Sequence, residues 1–285
     1  MTHPSLPAAL TLGYVHLTVA NLDHSVAYYQ RSLGFQEHRR EGATAWLGAG
    51  GPDLLALTER PEATRPRRAT GLYHFAILTP SRAALARSIW NIAETRTPVQ
   101  GASDHLVSEA LYLGDPDGNG IEIYRDRPRS EWRDAQGQFR MDTLPLDIDS
   151  IIGELPAGGG HGPARLEPGT VLGHMHLHVR DTREAIAFYV DVLGFDLMMD
   201  MGSAVFVSAG GYHHHLGLNT WGTQGAPPPP PDSLGLRYFT IHLPSAADVD
   251  AVAARARAAG APVDEHPAGQ LVRDPSQNGL VFTSA

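Results

Sequence analysis

Cysteine is absent from all 285 residues. That excludes a disulfide framework, a thiolate metal site and a cysteine nucleophile, so any metal must rest on histidine and carboxylate. Dense Lys/Arg runs are also absent, and the formal net charge is -9. Nucleic acid, whose phosphates need a basic face, is therefore not an expected partner. No apolar run reaches the ~18 residues that a membrane helix needs. The opening MTHPSLPAALTLGYV has neither the basic start nor the long apolar stretch of a signal peptide. No membrane partner and a cytoplasmic location are the expectations. What the chain does have is histidine, fifteen in all. Three stand in a row in GGYHHHLGLN, Gly210 to Asn219, a stretch of strand-like character. Strand alternation would turn His213 and His215 one way and His214 and Leu216 the other.

The chain repeats itself. Leu12–Phe35, LGYVHLTVANLDHSVAYYQRSLGF, lies almost without gaps over Leu172–Phe195, LGHMHLHVRDTREAIAFYVDVLGF. Each copy opens with alternation, Val15, Leu17 and Val19 on one face and Tyr14, His16 and Thr18 on the other. Each then takes a helical period, with Ile186, Tyr189, Val190 and Leu193 at i, i+3, i+4 and i+7, and stops at Leu-Gly-Phe, where the glycine suits a helix C-cap. A weaker repeat sets GLYHFAILTP, Gly71–Pro80, over GLRYFTIHLP, Gly235–Pro244. Alanine-rich helical stretches follow both, Ser81–Thr95 and Ser245–Ala259. Both segments close on a turn and strand, DPDGNGIEIY, Asp115–Tyr124, and DPSQNGLVFT, Asp274–Thr283. The chain thus reads as four units, each a strand, a helix and then several strands, an α+β class. Arg127 to Gly169, with the glycine-rich PAGGGHGP, reads as a connection holding one short helix around Asp147–Leu155. The proline-dense QGAPPPPPDS reads as an extended surface loop.

Four such units with a DPDGNGIE ending resemble the vicinal oxygen chelate superfamily of glyoxalase I, extradiol dioxygenases and bleomycin-resistance-type binding proteins. The local sequences GLYHFAIL, DHLVSEALYLGDPDGNGIEIY and GGYHHHLGLN look most like its bacterial catechol 2,3-dioxygenases. The resemblance implies four βαβββ modules, spanning 10–66, 70–127, 170–232 and 233–285, which form two incomplete β-barrel-like domains. In chain order these give one domain over 1–127, a linker over 128–168 and a second domain over 169–285.

In that superfamily, metal ligands sit on the strand that opens a module and on a carboxylate of the final strand. The matching opening positions are Tyr14, His74, His174 and Tyr238, and the matching final-strand positions are Glu122 and Val281. Neither sequential pair of modules carries a full set. Modules two and three together carry His74, Glu122 and His174, while one and four carry Tyr14, Tyr238 and Val281. The modules are therefore expected to pair as two with three and one with four, leaving one complete site. Two histidines and a carboxylate suit non-haem Fe(II), with Mn(II) as the alternative metal.

By the same resemblance, His214 matches the extradiol acid/base beside the metal, Tyr112 a substrate-side tyrosine and His105 a substrate-binding histidine. The implied reaction is extradiol ring opening of a small aromatic diol by O2. Two other functions fit the scaffold. A glyoxalase- or epimerase-type metalloenzyme would want a second carboxylate near His214 to Leu216, and none is there. A non-catalytic binding protein would leave the mutual completion of the triad unexplained. His213 and His215 read as exterior groups or hydrogen-bond partners of the site. His16 and His176 read as a shared structural pair, with His176 on the face of His174. Tyr28, Tyr29, Phe188 and Tyr189 read as helix core, and His161 as a loop residue. Homo-oligomerisation is suggested by the superfamily and by no motif here.

Overall fold

The computed structural model describes residues 4–156 and 165–284. His161 and all but the first residue of PAGGGHGP lie outside the described residues. The four units are present as βαβββ modules. Module one is β1 (Thr11–Val19), α1 (Leu22–Leu33), β2 (Gln36–Glu41), β3 (Thr44–Gly48) and β4 (Asp53–Glu59). Module two is β5 (Gly71–Leu78), α2 (Arg82–Glu94), β6 (Val99–Asp104), β7 (Ser108–Gly114) and β8 (Gly120–Asp126). The connection carries α3 (Ile148–Ile152), close to the helix expected there. Module three is β9 (Val171–His178), α4 (Thr182–Ile186), β10 (Asp196–Asp200), β11 (Ala204–Ser208) and β12 (Leu216–Asn219). Module four is β13 (Gly235–Leu243), α5 (Ala246–Ala258), β14 (Val263–His266), β15 (Gly269–Arg273) and β16 (Gly279–Ser284).

The strands form two eight-stranded sheets whose orders settle the pairing of modules. One runs β14-β15-β16-β13-β1-β4-β3-β2 and the other β10-β11-β12-β9-β5-β8-β7-β6. Module one therefore joins module four, and module two joins module three. The join of the first sheet is antiparallel, β1 against β13, with His16 opposite Tyr238.

Local chemistry starts and stops the helices. Asn21, Ser81, Asp181 and Ser245 each accept a backbone N–H of the first turn. Gly34 and Gly194 end the repeated helices at φ +80° and +94°, which suits glycine. They also admit close neighbours. A Cβ on Gly34 would sit 2.9 Å from the Leu166 nitrogen, and one on Gly194 would sit 2.9 Å from the Pro4 carbonyl carbon. In the second copy the helical period is not carried through as α-helix. After Ile186 the residues Ala187–Leu193 take the wider π form, and the Arg255 guanidinium donates to the carbonyls of Val192 and Leu193 at 3.0 and 2.8 Å.

By spatial proximity the chain divides into two compact units, Met1–Ala20 with Arg60–His74 and Gly173–Ala285, and Asn21–Glu59 with Phe75–Leu172. Each contains the same buried joint. In the second unit Tyr29 Oη donates to Asp115 Oδ2 at 2.8 Å, and in the first Tyr189 Oη donates to Asp274 Oδ2 at 3.0 Å. Each aspartate also folds its own turn by accepting the backbone N–H groups two and four residues on and the amide of Asn119 or Asn278. The helix tyrosines are thus core residues, as expected, but each also serves as a donor to a buried carboxylate. The DPxxNG endings are folding devices.

Candidate metal centre

β9, β5 and β8 are consecutive in their sheet, so residues on one face of the three are brought side by side. His174 comes from β9, His74 from β5 and Glu122 from β8. All three are buried, and one ligand atom from each lies within 4.8 Å of the others. The rings of His74 and His174 are 5.5 Å apart between centroids. Two imidazoles and one carboxylate converging at that separation suit a divalent metal of borderline or harder character. The corresponding positions of the other sheet hold a different arrangement. Tyr14 Oη and Tyr238 Oη are hydrogen-bonded to each other at 3.2 Å, and Val281 is fully buried.

GGYHHHLGLN is not a strand throughout. The strand β12 begins at Leu216, and the three histidines occupy the irregular turn before it, introduced by Gly210 and Gly211 at φ +62° and +69°. Alternation therefore does not govern their directions. His213 is fully buried and its Nδ1 lies 2.8 Å from His214 Nδ1. His215 is buried too, its Nδ1 3.0 Å from Ser208 Oγ and 3.2 Å from the Ala209 N–H donor. An exterior reading for these two is overturned by their burial, and His213 is a hydrogen-bond partner of His214.

His214 packs against the triad, its ring tilted on that of His174 with centroids 4.2 Å apart. Burial first, and then the neighbouring imidazoles of His174, His213, His176 and His74, hold its pKa well below 6.5. Its ring is therefore neutral near pH 7. Tyr112 stands directly opposite Glu122 in the β7–β8 ladder. Its hydroxyl lies 2.7 Å from His105 Nε2, while His105 Nδ1 lies 2.8 Å from the carbonyl oxygen of Asp142.

Sequence reasoning missed the aromatic surround. Tyr73, next to His74, would face away on strict alternation, yet its ring lies 5.1 Å from His74, 5.0 Å from His176 and 5.4 Å from Trp221. His176 lies 4.9 Å from His74, and Gly217 makes room for it, since a Cβ there would meet the His176 ring at 2.9 Å. Phe206 completes the group, 5.8 Å from His176 and 5.0 Å from His214. His176 therefore belongs to the surroundings of the triad. His16 holds the same place in the other sheet, packed on Tyr238 at 5.0 Å, where burial, with Arg237 and His266, lowers its pKa to about 3.

Comparison with known proteins agrees with this layout. The model of the Glyoxalase/Bleomycin resistance protein/Dioxygenase superfamily matches residues 11–123 and 171–282. A Bacillus subtilis (strain 168) protein named Catechol-2,3-dioxygenase is 46% identical over 276 residues, covering 95% of each chain. Among solved structures, glyoxalase I from Zea mays superposes with a TM-score of 0.58 at 18% identity, over 96% of this chain and 93% of its own. The CppA protein of Streptococcus pneumoniae TIGR4 superposes with a TM-score of 0.55 at 12% identity, over 96% of this chain and 100% of its own. These two likenesses concern the fold alone. With two matched halves and a relative alike along its length, the chain belongs to the Glyoxalase/Bleomycin resistance protein/Dioxygenase superfamily.

Proposed function

We propose that this protein is an extradiol dioxygenase that opens a small catechol-type diol with O2, using a metal held by His74, Glu122 and His174. The observation that carries this reading is the buried convergence of those three groups from two modules that are not sequential halves. The 46% identical relative named Catechol-2,3-dioxygenase supports the substrate class. Iron(II) is the proposed metal and manganese(II) the alternative. In this reading 1–127 and 169–285 are the duplicated halves and 128–168 is their connection.

When held by His74, Glu122 and His174, such a metal would lower the pKa of the diol hydroxyls and activate the substrate toward O2. The residues of the chain do the rest. His214 is the proposed acid/base. Its Nδ1 is engaged with His213, so Nε2 is the atom at which a proton is taken from the diol and later returned. Its lowered pKa leaves the ring unprotonated before the reaction. Tyr112 and His105, joined at 2.7 Å beside Glu122, are the proposed substrate-side groups that orient the ring. Burial of the triad excludes bulk water from the reacting atoms.

The test is anaerobic loading with Fe(II), then catechol and air, with the ring-opened product followed by its visible absorbance. Wild type is expected to form product, and His214→Ala is expected to lose about 100-fold or more in kcat. Stoichiometric metal binding without product would refute the catechol assignment.

A further inference from the structure

The connection between the repeated halves reads from sequence as a linker with one short helix, and its chain is fastened to module two at several points. Asp104 and Leu144 form an antiparallel bridge with reciprocal N–H···O=C bonds of 2.9 Å. The Asp142 N–H donates to the His105 carbonyl at 3.3 Å. Further along, Arg82 donates to the Ser150 carbonyl and side chain, at 3.0 Å each, and to Glu154 at 3.1 Å. At the start of the connection, Trp132 is buried and its Nε1–H donates to the Arg127 carbonyl at 2.9 Å.

Two of these fastenings, the Asp104–Leu144 bridge and the Asp142–His105 bond, lie at His105. His105 sits at the tip between β6 and β7, followed by Leu106 at φ +66°, a left-handed conformation that a leucine adopts only when the surroundings impose it. The Asp104 side chain accepts the Leu106 N–H at 2.9 Å and is itself held by Arg127. The tip is thus built to place one ring. His105 Nδ1 is 2.8 Å from the Asp142 carbonyl oxygen, which can only accept, so Nδ1 must carry the hydrogen. In the neutral ring Nε2 is then the acceptor, and the Tyr112 hydroxyl 2.7 Å away must donate to it.

We propose that the connection is part of the active site: the Asp142 backbone carbonyl positions His105 and fixes its Nδ1–H tautomer, which in turn aims the Tyr112 hydroxyl proton away from the substrate. The inference rests on the reading of His105 and Tyr112 as substrate-side groups. Asp142 acts through its main chain, so no side-chain motif in the sequence marks it.

The experiment reads the tautomer directly, from ¹⁵N shifts of the imidazole nitrogens in Zn(II)-loaded protein at about pH 8. His105→Gln identifies the His105 signals by difference. Wild type is expected to show a protonated Nδ1 and an unprotonated Nε2. Leu144→Pro deletes the N–H that donates to Asp104 and should free the strap: the His105 signals become those of a tautomer mixture. The Fe(II)-loaded variant should lose about tenfold in kcat for catechol while metal stoichiometry stays unchanged. Protonated Nε2 in wild type overturns the proposal, whether or not Leu144→Pro folds. So does a folded Leu144→Pro with the wild-type tautomer and kcat. If wild type shows the expected tautomer and the variant loses it, but neither opens catechol, the reaction assignment fails and the positioning role stands.

Discussion

Removing the Tyr189 hydroxyl should destabilise the protein by an amount that depends on pH. Asp274 is fully enclosed, and burial raises its carboxyl to about 6 although the Asn278 side chain and backbone, Tyr189 and the Ser276 N–H all favour the charged form. A carboxyl raised from 3.8 stabilises the folded state below the unfolded value, and that contribution is lost as pH rises through about 6. Over two units the loss amounts to about 3 kcal/mol. Tyr189→Phe deletes the 3.0 Å donor without a large change in shape. Above the titration the missing bond is one to a charged group, worth about 2 kcal/mol, and below it one to a neutral acid, worth about 1 kcal/mol. Urea denaturation at about pH 8 and about pH 5 should therefore give a larger penalty at the higher pH, by about 1 kcal/mol. Equal penalties at both, or a larger one at the lower pH, would refute the claim that Tyr189 steadies a buried carboxylate.

The other predictions concern the site and its surround. Gly217→Ala forces a Cβ to 2.9 Å from the His176 ring and should destabilise by about 1–3 kcal/mol, measured by the same denaturation. Tyr14→Phe with Tyr238→Phe removes only the 3.2 Å hydroxyl pair of the other sheet and should leave metal stoichiometry and catechol turnover unchanged, read by metal analysis and steady-state kinetics. For His214, whose pKa lies well below 6.5, activity should stay level from about pH 8 down past the ordinary histidine range before falling, because the base protonates only below it. A pH–rate profile that falls with an ordinary histidine midpoint would contradict that.

Much of this was legible in the sequence because a fourfold repeat compares the chain with itself. The strand-helix-strands order follows from the periodicity of the repeats, while the trio His74, Glu122 and His174 and the pairing of one with four and two with three come from laying the superfamily's ligand positions over those repeats. What was not legible depends on irregular backbone. The turn at Gly210 and Gly211 takes His213 to His215 out of strand alternation, so their burial could not be read from period. The π form at Ala187–Leu193 is met by Arg255, whose guanidinium, 62 residues on, donates to the Leu193 carbonyl. Tyr73 reaches His74 and His176 against alternation, and Asp142 contributes a carbonyl, which every residue has.

The central claim is that modules two and three, from different halves of the chain, complete one metal centre, and metal analysis tests it most directly. After anaerobic Fe(II) loading and removal of free metal, wild type should hold one iron per chain. His74→Ala, Glu122→Ala and His174→Ala should each hold almost none, although the first two lie in one half of the chain and the third in the other. Full retention of iron by the His174→Ala chain, or no stoichiometric iron in wild type, would contradict it.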